Sequence, residues 1–386
     1  MQIVQIGSYP LSADCIRGGV EASVYGLSQE LANHHDVDVF DIPRIGGKNT
    51  GNRYGKLTIH RYANPGTHNQ DAIDTLPTML RDIVALGPTI CHIHGTNPFS
   101  LAIYKALKHY GIPTIVTVHG LATVEKRNAL RRNPSLKSIY QYIVQSKAEK
   151  ELLSICPLVI VDTEYVAKVI QQFQLTHQPK MYIISQGISN HYFQLKNQPK
   201  DKKILSVGTI SKRKGHLLLL KAFDELCKTN QEISLQIIGS IAEKDYYLQL
   251  QKYIINSPNN NRIQLITNAS AEDLRTAYQS SYAFALHSQE ESQGIVFAEA
   301  MAVGLPIVAT NVGGVTYVVK HNTNGYLSDY GDIATFANNL ARLLAEQKSY
   351  QQIISSNIVE SKKYNWSSIA KKVEEVYQRV LVSYEK

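Results

Sequence analysis

Two glutamates eight positions apart stand out in the second half of the chain. Glu291 lies in the polar stretch SQEESQG, and Glu299 lies in the apolar run IVFAEAMA. This pattern predicts a loop that carries Glu291 and leads into a helix, with Glu299 about one turn inside the helix. The first amides of a helix have no partner within it, so they would point toward a ligand beside Glu291. These amides belong to Ser292, Gln293, Gly294 and Ile295.

A carboxylate together with backbone amides suits sugar and ribose hydroxyls, because a hydroxyl both donates and accepts hydrogen bonds. The apolar neighbours of Glu299 make a solvated surface position a poor explanation for this residue, and a buried carboxylate needs partners such as a ribose diol. For Glu291 the alternative is a capping role at the start of the helix. The two glutamates therefore predict a half-site for hydroxyl groups.

A cluster of cations follows a strand-like run earlier in the chain. The run ends at Gly208, Thr209 follows, and three cations come just before a helical pattern, namely Lys212, Arg213 and Lys214. Cations beside a helix N-terminus would stabilise a diphosphate, and a departing diphosphate above all. The alternative is a basic surface turn.

The N-terminal part of the chain offers two further features. Gly18 and Gly19 precede a helical pattern, an arrangement in which the backbone can approach a phosphate closely; the alternative is an ordinary turn. His92 and His94 lie on one strand face, and His119 ends the next strand-like run. Because carboxylate and sulfur partners with metal-site spacing do not accompany them, we expect a structural or polar role for His92 and His94.

The elements that position these residues alternate along most of the chain. Continuous apolar, β-branched runs indicate strands covered on both faces, hence parallel sheets built from βαβ units. Two series of five or six runs predict an α/β protein with two Rossmann-like, doubly wound domains. The first series comprises Ile3–Ile6, Val37–Phe40, Ile90–His94, Thr114–His119, Leu158–Asp162 and Met181–Ser185. The second comprises Lys203–Val207, Ser234–Ile238, Arg262–Ile266, Tyr282–Leu286 and Pro306–Ala309.

The polar stretch 188–203 separates the two series and marks the predicted domain boundary. We predict an N-terminal domain of residues 1–190 and a second domain of residues 201–364. Two such domains facing one another would leave a cleft between the carboxyl ends of both sheets, where ligands of this architecture bind.

Composition narrows the class of protein. The 386 residues are enough for two cores. No apolar run approaches the roughly 20 residues of a membrane helix, and the start MQIVQIG is typical of a strand rather than a signal peptide. Four cysteines without CxxC spacing fit reduced thiols in the cytoplasm, where we expect the protein to act. They are Cys15, Cys91, Cys156 and Cys227.

The formal net charge of +8 is typical of nucleic-acid binders, and also of enzymes that handle phosphates or lie on anionic membranes. Residues 125–137 are either a solvated face or a patch for an anionic acceptor or lipid headgroups. Their cations are Lys126, Arg127, Arg131, Arg132 and Lys137. A nucleic-acid-binding protein would instead interleave aromatic and basic residues on strands. In this chain many tyrosines lie in helical patterns instead, where packing is their ordinary role. Among them are Tyr246, Tyr247, Tyr253 and Tyr278.

The stretch from His287 to Gly314 resembles the signature of the family 4 retaining glycosyltransferases, two-domain enzymes with the GT-B fold. The family hallmark is Glu-x7-Glu followed by EAxAxGxPVVAxxxGG. This chain carries its elements in register at Glu291, Glu299, Ala300, Gly304, Pro306, Ala309, Gly313 and Gly314. Residues 18–21 resemble the family's GGxE loop, residues 117–120 its TxHG strand end and residues 208–215 its phosphate-binding loop. Residues 364–367 resemble the segment that crosses back, so that the final helix, 367–386, would complete the N-terminal domain.

The resemblance implies a role for each matching residue. Glu299 would hold the ribose hydroxyls, and Lys214 with Arg213 would hold the diphosphate. Glu291 and the amides of residues 292–295 would hold the transferred sugar. The catalytic set implied by the resemblance is His119, Lys214 and Glu291.

Other implied contacts come from elsewhere in the chain. The loop of Gly18 and Gly19 would approach the diphosphate, and His119 would lie beside the sugar. The base would lie near Leu265 and Thr267, bound mostly through the backbone. The chain also departs from the family pattern. Thr209 stands where an arginine is common, so that Arg213 or Lys212 would have to substitute, His287 stands where proline is usual, and Thr316 and Tyr317 replace Pro-Glu.

The reaction implied is the transfer of a hexose, with retention, from a UDP-sugar to a saccharide or lipid-linked acceptor in cell-envelope or exopolysaccharide synthesis. UDP-glucose is the first choice of donor and GDP-mannose the main rival. No metal or other cofactor is implied, because protein cations and helix dipoles would neutralise the leaving group. We also expect peripheral contact with the inner face of the membrane. The alternatives are a nucleotide-sugar epimerase of the same fold and a basic nucleic-acid-binding protein.

Overall fold

The computed structural model describes residues 1–12, 16, 18–42, 50–63, 73–132 and 134–384. The chain forms two compact units. Unit 1 comprises Met1–Gly187 and Trp366–Lys386, and unit 2 comprises Ile188–Asn365. Unit 2 thus begins at the start of the polar stretch 188–203, because Ile188 and Tyr192 pack in its core. Among the sequence-derived predictions, the thiol of Cys15 lies outside the described residues.

Unit 1 is built on an eight-stranded sheet in the order β3-β4-β2-β1-β5-β6-β7-β8. Its strands are β1 (Gln2–Gly7), β2 (Asp36–Asp41), β3 (Thr50–Tyr54), β4 (Leu57–Arg61), β5 (Ile90–His94), β6 (Thr114–Val118), β7 (Leu158–Val161) and β8 (Lys180–Ile183). All of them pair in parallel except β3, which is antiparallel to β4. The chain leaves β1 toward β2 on one side and later returns beside β1 with β5, so the topological switch point lies between β1 and β5.

Unit 2 carries a six-stranded sheet in the order β11-β10-β9-β12-β13-β14. Its strands are β9 (Lys202–Val207), β10 (Ile233–Ile238), β11 (Ile263–Ile266), β12 (Ala283–Leu286), β13 (Ile307–Thr310) and β14 (Gly325–Ser328). Every strand pair in this sheet is parallel. Strands β9 to β11 extend in one direction and β12 to β14 in the other, so the switch point lies between β9 and β12.

Helices connect these strands, as βαβ units require. In chain order they are α1 (Gly19–Leu31), α2 (Leu76–Leu86), α3 (Pro98–His109), α4 (Ala122–Arg132), α5 (Leu136–Ile155), α6 (Glu164–Gln171), α7 (His191–Gln194), α8 (His216–Cys227), α9 (Lys244–Asn256), α10 (Ala271–Ser280), α11 (Ile295–Val303), α12 (Val315–Val318), α13 (Ile333–Ala345), α14 (Gln347–Ser361) and α15 (Trp366–Tyr384).

The central strands of each sheet are covered on both faces, as their continuous apolar sequences predict. In β1, Ile3 packs in the core on one side of the sheet, while Val4 and Ile6 pack in the core on the other. Strands β5, β6 and β7 are buried along their whole length. Two cores likewise flank the sheet of unit 2. The α/β class with two parallel-sheet domains is therefore confirmed.

The last helix, α15, packs on α1 in unit 1 through the single tryptophan of the chain, Trp366. A Cβ atom at Gly26 would lie 2.1 Å from Trp366 Nε1, and one at Gly187 would lie 2.5 Å from Trp366 Cδ2. The indole therefore occupies space that any larger residue at either position would fill. This packing returns the end of the chain to the N-terminal unit.

Three strands were absent from the sequence-based prediction, and each lacks the signal on which that prediction relied. β3 (TGNRY) is polar and exposed throughout, as an edge strand can be. β4 alternates between buried and half-buried positions, and β14 (GYLS) contains little apolar sequence. β3 also departs from the parallel pairing of the other strands, because its position at the edge next to β4 allows a short antiparallel hairpin.

Candidate functional site

The cationic loop and the Glu291 loop meet at the switch point of unit 2. Strands β9 and β12 are neighbours in register, so the loops at their carboxyl ends lie side by side. Lys214 Nζ donates to Glu291 Oε1 at 2.6 Å, and Arg213 Nη1 lies 3.3 Å from Glu291 Oε2. Ser288 Oγ donates to the same carboxylate at 2.8 Å. Lys214 and Glu291 are both buried.

The electrostatics of this cluster keep Glu291 ionised. Burial raises the pKa of the Glu291 carboxyl, while Lys214 and Arg213 lower it. The positive charges prevail, and the pKa lies below its ordinary value of 4.5. A charged lysine is thus held in place by a carboxylate at the end of a parallel sheet. This arrangement provides both an electrostatic partner for an anion and an acceptor for hydroxyl groups.

Close backbone approaches fix the loops that carry these charges. A Cβ atom at Gly314 would lie 1.7 Å from the carbonyl oxygen of Ser292, and the Gly314 amide donates to the carbonyl of Glu291 at 2.7 Å. Gly215 has a φ of +66°, and a Cβ there would lie 1.8 Å from the carbonyl oxygen of His287. Only glycine fits these two positions without displacing the neighbouring backbone. The glycines of the sequence motif therefore determine where Lys214 and Glu291 lie.

Glu291 does not cap helix α11, so this alternative was wrong. The N-cap residue is Gly294, which has no side chain to cap with, and the helix begins at Ile295. The carboxylate of Glu291 binds the cations instead. The amides predicted to face a ligand belong to the loop residues Ser292, Gln293 and Gly294 and to the first helical residue, Ile295.

Glu299 is the fifth residue of α11, about one turn into the helix as expected. Two tyrosines that the sequence did not reveal lie beside its carboxylate. The hydroxyl of Tyr278 donates to Glu299 Oε2 at 2.8 Å, and Tyr192 lies close enough to this carboxyl to lower its pKa. Burial raises the pKa of Glu299 to about 7, and the two tyrosines oppose that shift. The helical pattern around Tyr278 signals only packing, and no short-range spacing links either tyrosine to Glu299.

The remaining predicted residues of unit 2 also lie at the carboxyl ends of the strands. Thr209 follows β9 and is partly exposed, and Lys212 is exposed. Arg213 also donates to the carbonyl of Glu290 at 2.9 Å. Arg213 is thus the cation of this loop that accompanies Lys214. Leu265 and Thr267 lie at the carboxyl end of β11, the edge strand two positions from β9.

In unit 1 the predicted residues follow the carboxyl ends of strands β1 and β6. Gly18 precedes α1, which begins at Gly19 after strand β1. At Gly18 the described protein places no atom within 4 Å of a Cβ position, and at Gly19 the nearest is Gln186 Oε1 at 3.4 Å. Packing against the described protein therefore does not require glycine at residue 18. His119 follows directly after strand β6.

The histidines of unit 1 form a buried hydrogen-bonded chain. His94 Nε2 lies 2.5 Å from Gln5 Oε1, an acceptor, so His94 Nδ1 accepts from His119 Nε2 at 2.9 Å. Gln5 Nε2 donates to the hydroxyl of Tyr377, which lies 2.8 Å from His92 Nδ1. Burial, with a contribution from the charge of a neighbouring imidazole, lowers the pKa of His92 to about 3. These bonds support the predicted polar role of His92 and His94.

His119 lies between His94, to which it is hydrogen-bonded, and Asp162, with which it makes no hydrogen bond. Its Nε2 faces His94, and its Nδ1 lies 3.5 Å from Asp162 Oδ1. The His119 side chain is 4% exposed. The structure thus brings His119 together with Asp162, a residue that the sequence analysis did not select and that only the parallel pairing of β6 with β7 places beside it.

None of the helices in the described ranges has the length and apolar character needed to cross a bilayer.

Comparison with known proteins gives matches over most of the chain. The family model for glycosyl transferases group 1 matches residues 188–360, and the model for glycosyltransferase family 4 matches residues 17–191. The D-inositol 3-phosphate glycosyltransferase of Corynebacterium diphtheriae is 25% identical over 93% of this chain and 89% of its own length.

Solved structures agree in fold. Sucrose-phosphate synthase from Thermosynechococcus elongatus superposes with a TM-score of 0.83 at 19% identity, covering 99% of this chain and 100% of that one. Anabaena HepE, solved in complex with UDP and glucose, gives a TM-score of 0.73 at 16% identity, covering 98% and 100%. At these identities the likeness shows the fold alone, and that fold is GT-B. The chain belongs to the family 4 glycosyltransferases.

Proposed function

We propose that this glycosyltransferase moves a hexose, with glucose as the first candidate, from a UDP-sugar to a hydroxyl of a saccharide or lipid-linked acceptor, with retention at the anomeric carbon. The observation that carries the proposal is the buried Lys214–Glu291 pair beside Arg213 at the switch point of unit 2. Ligands of doubly wound sheets bind at this point. A cation pair suits the diphosphate of a nucleotide sugar, and a carboxylate suits sugar hydroxyls.

In this proposal the chemical step places new charge where the cations lie. The acceptor oxygen bonds to the anomeric carbon on the face that the diphosphate leaves, as the bond from that carbon to the phosphate oxygen breaks. The departing phosphate oxygen takes the acceptor proton, so no protein base is needed. Lys214 and Arg213 stabilise the departing diphosphate, because its negative charge grows as the bond breaks.

Glu291 and Glu299 would divide the recognition of the donor between them. Glu291, ionised beside the amides of residues 292–295, is suited to orient the hydroxyls of the transferred sugar. Glu299 is suited to accept from the ribose hydroxyls, which would join Tyr278 and Tyr192 around its carboxylate. The base would lie near Leu265 and Thr267.

The proposal also specifies the donor, with UDP as the nucleotide and glucose as the sugar. This choice is supported by the family motif and by the similarity in fold to a protein solved with UDP and glucose. The roles of Gly18, Gly19 and His119 in donor binding likewise rest on the family motif. We further propose that the reaction needs no metal, that it takes place in the cytoplasm, and that it serves the assembly of cell-envelope or exopolysaccharide chains.

The test is to incubate the purified chain with UDP-glucose, UDP-galactose and GDP-mannose, each with a panel of saccharide, sugar-phosphate and lipid-linked acceptors. Release of UDP from UDP-glucose, unaffected by EDTA, is expected, and NMR of the product should show the anomeric configuration of the donor. Release of GDP alone would overturn the choice of base, and an inverted product would overturn retention.

A matched pair of variants tests the site itself. Lys214→Met should lower kcat by about 10²–10³, the loss typical for one donor that stabilises transition-state charge. Lys212→Met makes the same change on an exposed neighbour in the same loop and should leave kcat nearly unchanged. Equal effects of the two substitutions would contradict the assignment of Lys214.

A further inference from the structure

The hairpin of helices α4 and α5 in unit 1 exposes an apolar stripe. Leu136 is 87% exposed, Ile139 42%, Tyr140 56% and Ile143 56%. Their spacing of three, four and seven residues places them on one face of α5. Large aliphatic side chains scattered singly on a surface are ordinary, but four on consecutive turns of one helix form a contiguous apolar surface that indicates a partner.

The same hairpin contains a long run of sequence with positive charge only. Residues 126–148 contain six lysines and arginines and no acidic residue, against a net charge of +8 for the whole protein. Four of these cations are exposed, namely Arg127, Arg131, Lys137 and Lys147. We name the four apolar side chains and these four cations the α4–α5 surface.

A buried carboxylate holds the hairpin together and thereby fixes this surface. Glu149 on α5 accepts hydrogen bonds from the amides of Ala122 and Thr123 at 2.9 and 2.8 Å, and from the hydroxyl of Thr96 at 2.7 Å. An acceptor at these amides caps the N-terminus of α4. Thr123 Oγ1 also donates to Ser146 Oγ at 3.1 Å. The exposed cations on α4 and the apolar stripe on α5 therefore keep a constant relation to one another.

We propose that the α4–α5 surface binds an anionic lipid bilayer. The cations contact headgroup phosphates, while Leu136, Ile139, Tyr140 and Ile143 enter the boundary between headgroups and acyl chains. This combination of an apolar helix face with a basic rim is what interfacial membrane helices use. The inference extends beyond the transferase reaction and does not depend on which sugar is transferred.

The chemistry of the stripe favours a bilayer over nucleic acid. A phosphate backbone needs cations, and bases need aromatic platforms for stacking. Three of the four exposed side chains are aliphatic, and only Tyr140 offers a ring. The run of 23 residues without an acid likewise matches an extended anionic surface, where every additional cation strengthens binding.

The first experiment measures flotation of the full chain with vesicles. Binding is expected to vesicles of phosphatidylcholine mixed with phosphatidylglycerol, and not to vesicles of phosphatidylcholine alone. Because each cation near an anionic surface contributes about fivefold to binding, the triple variant Arg127→Gln, Arg131→Gln, Lys137→Gln should bind about a hundredfold more weakly. The control variant Lys252→Gln, Lys348→Gln, Lys371→Gln removes the same charge from exposed positions elsewhere and should lose much less.

The second experiment tests entry of the apolar stripe. In Tyr140→Trp the new indole should shift its emission to the blue and be quenched by brominated lipids, while the native Trp366 is buried in the protein. Leu136→Gln with Ile143→Gln should weaken flotation, whereas Ile255→Gln with Val359→Gln, equally exposed elsewhere, should not. Equal loss in the test and control variants would overturn the proposal. So would binding to an oligonucleotide in place of vesicles, or capture of a soluble protein without vesicle binding.

Discussion

The buried pair of Lys214 and Glu291 allows its structural and catalytic roles to be separated. Both side chains are buried, and Nζ lies 2.6 Å from Oε1. Removing one partner of such a pair leaves an uncompensated buried charge and destabilises a protein by about 3–5 kcal/mol. The loss of stability in Glu291→Gln should lie within this range. Lys214→Met should lie at its lower end, because Arg213 and Ser288 still contact the carboxylate.

The double variant Lys214→Met, Glu291→Gln removes both charges together. Replacing a buried ion pair by uncharged side chains of similar size is often close to neutral. We therefore expect the double variant to recover about 2 kcal/mol or more relative to the sum of the single variants. Transferase activity should be low in all three variants. In each variant that lacks the lysine, kcat should fall by roughly 10²–10³ relative to the native protein. The recovery of stability without recovery of activity is the expected signature.

Urea-induced unfolding followed by circular dichroism measures the stability, and release of nucleoside diphosphate measures the activity. The pKa of Glu291 is lowered in the folded protein, so its contribution to stability is fully present above its ordinary value of 4.5 and is lost as the pH falls below it. The stability gap between the native protein and Glu291→Gln should therefore narrow in acid. If each single substitution lowered the free energy of unfolding by less than about 1 kcal/mol, and the two losses added in the double variant, Lys214 and Glu291 would not form a buried, coupled pair.

Three further predictions concern other parts of the chain. Because the pKa of Glu299 is about 7, donor affinity measured by calorimetry should strengthen as the pH rises through 7, and Glu299→Gln should abolish that dependence; an unchanged pH profile would contradict it. Gly314→Ala would place its Cβ 1.7 Å from a backbone oxygen and should abolish transfer and lower Tm, whereas Gly51→Ala, with open space around it, should do neither. Glu149→Ala should destabilise unit 1 by about 1–3 kcal/mol for each buried donor left unsatisfied, as measured by urea unfolding, while Glu149→Gln should lose less; equal losses would argue against the capping role.

The sequence predicted the fold from patterns that act over short distances. Continuous apolar runs such as Ile90–His94 become buried parallel strands, because a strand covered on both faces must be apolar on both. The same reasoning failed for β3 and β14. An edge strand needs no apolar face, and its pairing with a neighbour leaves no mark in its own composition.

The candidate site was predictable to the extent that motifs and local spacing define it. The order of residues 291–299 determines that Glu291 precedes α11 and that Glu299 lies within it, because helix geometry is local. The partners of these glutamates could not be predicted in this way. Lys214 and Glu291 are separated by 77 residues, and Tyr278 and Glu299 by 21, so only the sheet and its helices bring them together.

For this protein the sequence by itself determined eleven of the fourteen strands described, the α/β class and the residue types suited to a diphosphate and to hydroxyl groups. Only the tertiary structure decided which charges meet. The order β10-β9-β12 places the loop of Lys214 beside that of Glu291. Burial raises the pKa of both glutamates, but the nearby cations bring the pKa of Glu291 below its ordinary value, whereas that of Glu299 stays raised. The physical reason is that pairing and desolvation depend on neighbours distant along the chain, whereas helix and strand patterns depend on neighbours nearby.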